Sequence, residues 1–97
     1  MIEIEVTKDD IYWGVPRGHS CPITLASERV MDGDVMTHRS VMRRLYFHPN
    51  TGEKMMAEYA LPPEARTFIY RFDEGLEVEP FIFQVEDAEV ISIKDLL

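Results

Sequence analysis

Three patterns in the chain predict a mixed α+β fold, arranged as a two-layer α/β sandwich. Ile2, Ile4 and Val6 alternate with Glu3, Glu5 and Thr7, the period of a strand with one wet face. Ala65, Phe68, Ile69 and Phe72 recur at i, i+3, i+4 and i+7, which is one face of a helix. The run Pro49-Asn50-Thr51-Gly52 is a turn between two strand-like segments. Together they give the order β-α-β-β-α-β, with one sheet faced by two short helices. A chain of 97 residues fits one domain, so residues 1–97 are read as a single unit.

Each element follows from its residues. After the first strand, Thr7 stands three residues before Asp10, a weak capping box that starts one short helical turn over KDDIYWG. Gly14 ends it, and Pro16 to Gly18 form a loop. Pro22 suits the first turn of the next helix, where its missing N–H costs nothing. Ile23, Ala26 and Val30 mark that helix's buried face over about nine or ten residues. Gly33 supplies a left-handed C′ position after it.

The segments VMTHRSVMRRLYFH and EKMMAEYAL read as the two strands of a hairpin. Val41, Arg43, Leu45 and Phe47 share one face of the first; Met42, Arg44, Tyr46 and His48 share the other. On the second, Met55, Ala57 and Tyr59 oppose Met56, Glu58 and Ala60. Pro62 and Pro63 then open the main helix, and Gly75 followed by Leu76 closes it as a Schellman motif. Glu64 suits the positive end of its dipole, whereas Asp73 and Glu74 sit at the negative end, where cations are favoured. EPFIFQVE is the last clear strand, with Phe81, Phe83 and Val85 on one side and Ile82, Gln84 and Glu86 on the other. The tail, residues 86–97, carries Val90, Ile91, Ile93, Leu96 and Leu97 and is too apolar to stay solvated. It is expected to add an edge strand or to dock on a neighbour.

Charge is unevenly placed along the chain. Net charge is −8, yet Arg17 to His48 holds five Arg and three His against three acids. Asp73 to Leu97 holds eight acids and one Lys. Generic nucleic-acid binding is disfavoured, because such surfaces must neutralise phosphates. A local basic site for a small anion and an acidic face for a basic partner both remain open. No apolar run approaches the roughly 18 residues of a membrane span, so no membrane role is expected. The acidic, alternating N-terminus does not read as a signal peptide. A single cysteine makes no internal disulfide, which points to an intracellular, cytoplasmic setting.

PRGHSCP is the segment most suggestive of chemistry. A thiol at a helix N-terminus can have its pKa lowered, and His19 and Arg17 lie close in sequence to Cys21. No known signature of a cysteine nucleophile surrounds it, and a buried or capping Cys is the commoner arrangement. The spacings of Cys21, His19, His38 and His48 match no compact zinc pattern, so no metal or cofactor is expected. An anion seat is a more physical reading: Arg17, His19, Ser20 and Cys21 precede a helix start, with Arg43 and Arg44 on the following hairpin. Tyr12, Trp13, Tyr46, Phe47 and Tyr59 offer a stacking surface or ordinary packing.

The segments IEIEVTKDDI, CPITLASERV and LPPEARTFIYRFDEGLEVEPFIFQ resemble a set of small, mostly uncharacterised bacteriophage proteins, notably of actinobacteriophages. The resemblance spans most of the chain from Ile2 to Gln84 and leaves out the tail. It implies a phage-encoded protein acting in the host bacterial cytoplasm by stoichiometric binding. The resulting expectation is a non-enzymatic protein that engages a host protein through Asp73, Glu74, Glu77 and Glu79. The alternative is a small-anion or nucleotide-sequestering protein centred on Arg17, His19, Ser20 and Cys21, with Arg43 and Arg44. An exposed edge strand and the apolar tail also make a homodimer plausible.

Overall fold

A computed structural model describes residues 1–86 and 89–96. Among them are six strands in two antiparallel sheets and three α-helices, so the fold is mixed α+β. Strands β1 (Ile2–Val6) and β5 (Phe81–Val85) form a two-stranded ribbon, with Ile4 opposite Phe83. Strands β2 (Asp34–Thr37), β3 (Val41–Phe47), β4 (Lys54–Ala60) and β6 (Glu89–Ser92) form a second sheet in the order β2-β3-β4-β6. The expected single sheet is therefore two.

The extra strand comes from the segment read as one long strand. The chain reverses at His38-Arg39-Ser40, where the His38 N–H donates to the Val41 carbonyl oxygen at 2.8 Å. Of those three residues only Ser40 is a common turn former, and no Gly, Pro, Asn or Asp marks the reversal. The β3–β4 hairpin lies where it was expected, and Met42, Ala57 and Tyr59 share its buried face. Val35 and Thr37 of β2 extend that face across Arg44 and Met42.

Helix α1 (Lys8–Trp13) starts on the expected capping box. The Thr7 N–H donates to Asp10 Oδ2 at 2.8 Å, and the Asp10 N–H donates to Thr7 Oγ1 at 3.3 Å. Helix α2 (Pro22–Glu28) has Pro22 in its first turn but is only seven residues long. Ile23 and Ala26 are buried as expected, whereas Val30 lies past the helix end and is exposed. Gly33 has a positive φ of 95°, but it belongs to the turn entering β2 rather than to the helix cap. Helix α3 (Pro63–Asp73) buries Ala65, Phe68 and Ile69. Its end is a Schellman motif: the Leu76 N–H reaches the Arg71 carbonyl oxygen at 2.8 Å, and the Gly75 N–H reaches that of Phe72 at 3.1 Å.

The ribbon, the sheet and the helices share one core. Ile4, Val6, Phe83 and Val85 from the ribbon join Ile23 and Ala26 of α2, Met42 and Tyr59 of the sheet, and Phe68 of α3. Aromatic rings run through it, with Phe81 stacked between Phe68 and Phe83 at centroid distances of 4.9 and 5.4 Å. The tail supplies an edge strand, since β6 pairs with β4 and a 3-10 turn (Ile93–Leu96) follows it. The Ser92 hydroxyl and Lys94 both reach Glu53, at 2.5 and 3.0 Å, and hold its carboxyl below the usual range. The expected burial of Leu96 and Leu97 falls outside the described side chains.

Asp10 ties α1 to α2 and β1. Arg29 grips both of its carboxylate oxygens, with Nη2 to Oδ2 at 2.7 Å, and also donates to the Glu5 carbonyl oxygen at 2.9 Å. Burial pushes the Asp10 carboxyl up, but the bonds from Arg29 and Thr7 outweigh it and leave the group below its ordinary value of 3.8. A depressed carboxyl contributes stability above its unfolded pKa, and loses it as pH falls through the folded one. Asp10→Asn is expected to cost about 1.5–3 kcal/mol near neutral pH, as for hydrogen bonds to a charged group. It should also flatten the loss of stability below about pH 4. Urea titrations of both proteins from pH 2 to 7 check both effects.

Candidate functional site

The four acids expected to act together divide between two hollows. Glu77 and Glu79 lie in the chain between α3 and β5 and join Glu64 on the rim of a groove of about 450 Å³. Thr67, Phe68 and Arg71 of α3 form one side of it, and Val78 and Phe81 form the other. Arg71 fixes its shape by donating Nε and Nη2 to the Glu77 carbonyl oxygen, at 3.1 and 2.9 Å. None of the three glutamates forms a salt bridge among the described residues. Three carboxylates thus face one guanidinium over a floor of Phe68, Val78 and Phe81.

Asp73 and Glu74 line a different hollow, shared with Arg39, Arg66, Ile69 and Tyr70. Two acids and two arginines balance there, so this part of the expected acidic face carries no local net charge.

The residues expected to seat an anion are also separated. Arg17 and Cys21 line a hollow of about 160 Å³ together with Gly18, His38, Arg39 and Asp73. His19 and Arg43 line another, of about 310 Å³, beside Glu28, Asp34 and Val35. Arg43 is paired with Glu58 at 2.9 Å. Arg44 points to the opposite face of β3, lying 4.1 Å from the Tyr46 ring centroid and donating to the Asp32 carbonyl oxygen at 3.1 Å. Ser20 serves the loop through its backbone, accepting from the Val15 N–H at 3.0 Å. Pro22, Ile23 and Thr24 are buried, so the first turn of α2 does not open onto solvent.

No family model, curated protein or solved structure matches this chain. The site is therefore read from its own geometry.

Cys21 is the N-cap residue of α2 and is buried. Its sulfur lies 3.4 Å from Thr24 Oγ1. That oxygen donates its one proton to the Gly18 carbonyl oxygen at 2.6 Å, so the Cys21 S–H is the donor in the first contact. No hydrogen bond joins the thiol to a histidine among the described residues; the His48 ring instead accepts the Asn50 N–H at 3.1 Å. Among those residues, no three His, Cys, Asp or Glu side chains gather as a metal site would require. No helix among them is long and apolar enough to cross a membrane.

One feature was not singled out from the sequence. The groove's contribution from α3 was hidden because Glu64 reads as a partner of the helix dipole, while Thr67 and Arg71 lie beside the apolar stripe without a motif of their own. Their spacing of three and then four residues does place them on one side of the helix, and that was the available signal. The aromatics expected to form a stacking surface or ordinary packing divide between the two. Tyr12 and Trp13 pack edge to face at 4.9 Å, yet are 76% and 72% exposed. Tyr59, by contrast, is core.

A buried, hydrogen-bonded thiol should be slow to react. With Ellman's reagent, Cys21 is expected to react at least a hundredfold more slowly in the native protein than in 6 M guanidinium chloride. A fast native reaction would show instead that the thiol reaches solvent.

Proposed function

We propose that this is a non-enzymatic binding protein that takes a basic segment of another protein into the groove between α3 and the chain leading to β5. The observation that carries this reading is the pairing of an apolar floor with an unneutralised acidic rim. Phe68, Val78 and Phe81 offer area to bury, while Glu64, Glu77 and Glu79 select for cationic side chains at its edges. Arg71 is occupied by a backbone carbonyl and leaves the acids in excess. The whole-chain charge of −8 adds long-range attraction for a basic partner. Two of the four acids first assigned to partner contact, Glu77 and Glu79, stay in this reading; Asp73 and Glu74 leave it for the balanced hollow. The resemblance to small phage proteins extends the proposal to a host protein met in the bacterial cytoplasm.

A blocked seven-residue peptide of alternating lysine and valine is a suitable probe. Its binding, read by fluorescence anisotropy, is expected to weaken at least tenfold in E64Q/E77Q/E79Q and to fall with added salt. D73N/E74Q should bind within twofold of wild type. Equal binding by the triple variant would remove the groove from consideration.

The small-anion reading keeps one specific support, the hollow where Arg17 and Arg39 converge beside His38 and the Gly18 backbone. In this form Arg17 is retained, and Arg39 and His38 replace Ser20, His19, Arg43 and Arg44. Native mass spectrometry of freshly purified protein tests it. The alternative expects a retained anionic mass that is lost in R17A/R39A; a bare wild-type chain counts against it.

A further inference from the structure

The groove leads directly into a strand edge, because Phe81 is both part of its wall and the first residue of β5. The direction of that edge follows from one contact. Arg29 Nη2 donates to the Glu5 carbonyl oxygen at 2.9 Å from the α2 side, so Glu5 turns its backbone groups away from β5. In an antiparallel pair, residues facing each other alternate between exchanging hydrogen bonds and pointing both sets outward. Glu5 faces Ile82 and Glu3 faces Gln84, so Ile82 and Gln84 turn their N–H and C=O groups to the outer edge of β5. No hydrogen bond meets those groups among the described residues, and both residues are exposed, Ile82 at 55%.

The outer edges of β1 and β2 are covered. Thr37 on β2 donates its N–H to the Gly18 carbonyl oxygen at 2.9 Å, and Val35 donates to Glu28 Oε2 at 3.4 Å. The β1 edge is met by Arg29. Among the described residues, β5 has no equivalent cover.

Resting on the groove as the binding site, we propose that the partner segment is an extended basic strand that adds to the open edge of β5. It would form a third strand of the ribbon, with its cationic side chains over Glu77, Glu79 and Glu64. Main-chain bonds to Ile82 and Gln84 supply affinity that does not depend on sequence, and the groove supplies the preference for basic and apolar side chains. Charge decides between this occupant and a second copy of the chain. Pairing β5 with itself would crowd the glutamates at 77, 79 and 86 of both copies along one short edge, each copy carrying a net charge of −8. A lysine- or arginine-bearing strand turns the same charges into attraction.

The lysine-valine heptapeptide tests this in three forms: unmodified, and N-methylated at each of the two alternating sets of residues. Strand addition expects the unmodified peptide to slow amide exchange of Ile82 and Gln84 at least tenfold. It also expects one methylated form to bind at least tenfold more weakly, because the methyl groups then replace the N–H groups that face β5. The other form should bind nearly as well as the parent. If both methylated forms bind like the parent and the Ile82 and Gln84 amides exchange at the unbound rate, strand addition is overturned while the groove stands. If the unmodified peptide fails to bind, or binds the E64Q/E77Q/E79Q variant equally well, the groove and the strand addition fall together. A dimer by sedimentation, with both amides protected before any peptide is added, would make a second copy the occupant and overturn the inference.

Discussion

Thr24 has one hydroxyl proton, and the Gly18 carbonyl oxygen receives it at 2.6 Å inside the protein. The same carbonyl oxygen accepts the Thr37 N–H at 2.9 Å, and the Thr37 hydroxyl lies 2.7 Å from that of Thr24. A loop, a helix and a sheet edge therefore meet at one small polar cluster in which each donor has its acceptor. The arrangement is demanding because α2 is buried along most of its length: Pro22, Ile23, Thr24, Ala26 and Ser27 are all shielded from water. A polar group left unpaired there would cost about 1–3 kcal/mol, a large share of the stability of a chain this small. Gly18 has to be a glycine for the approach to be this close, since a Cβ would stand 2.6 Å from the Thr37 carbonyl oxygen. With α2 seated in this way, the ribbon and the four-stranded sheet can pack against the same helix and share one core.

Elements whose signals were local were legible in the sequence. The Thr7–Asp10 capping box, the Pro22 helix start, the Asn50–Gly52 hairpin and the Schellman ending at Gly75 each rest on residues within a few positions of one another. The long-range pairing was not legible. Nothing in IEIEV or FIFQV says that each will choose the other rather than the central strands. The turn at His38–Ser40 escaped notice because its support is tertiary: the Ser40 carbonyl oxygen accepts the Leu61 N–H at 3.0 Å, from the far end of β4. Val30 misled for a related reason. It falls at the right spacing for the buried face, but the helix stops two residues before it.

The candidate site was partly legible for the same reason. Net acidity in the last quarter of the chain can be counted, and Glu77 and Glu79 follow from it. Which acids stay unneutralised depends on where the arginines fall in space. Arg39 comes from the β2–β3 turn and Arg66 from α3, and together they line the hollow of Asp73 and Glu74. Arg71 lies near Glu77 but donates to its carbonyl oxygen instead of its carboxylate. The alternation along β3 already puts Arg43 and Arg44 on opposite faces, but it does not say what each meets there. One pairs with Glu58 and the other settles over Tyr46. A charge census along the chain cannot detect such cancellation.

The glutamates near β5 also bear on how a small sheet protein could keep a strand edge available without pairing it to a second copy. Unpaired strand edges invite pairing with any exposed strand, and folds commonly block them with charge or with covering groups. Here Arg29, Gly18 and Glu28 cover the edges of β1 and β2 through direct hydrogen bonds. Beside β5, charge replaces the cover, because Glu77, Glu79 and Glu86 flank the strand without occupying its hydrogen-bonding groups. Repulsion between copies would then protect the edge at long range and leave its hydrogen-bonding groups accessible. A basic strand would experience the opposite sign from the same residues, so under the proposed binding one set of charges would both discourage self-association and steer an oppositely charged partner.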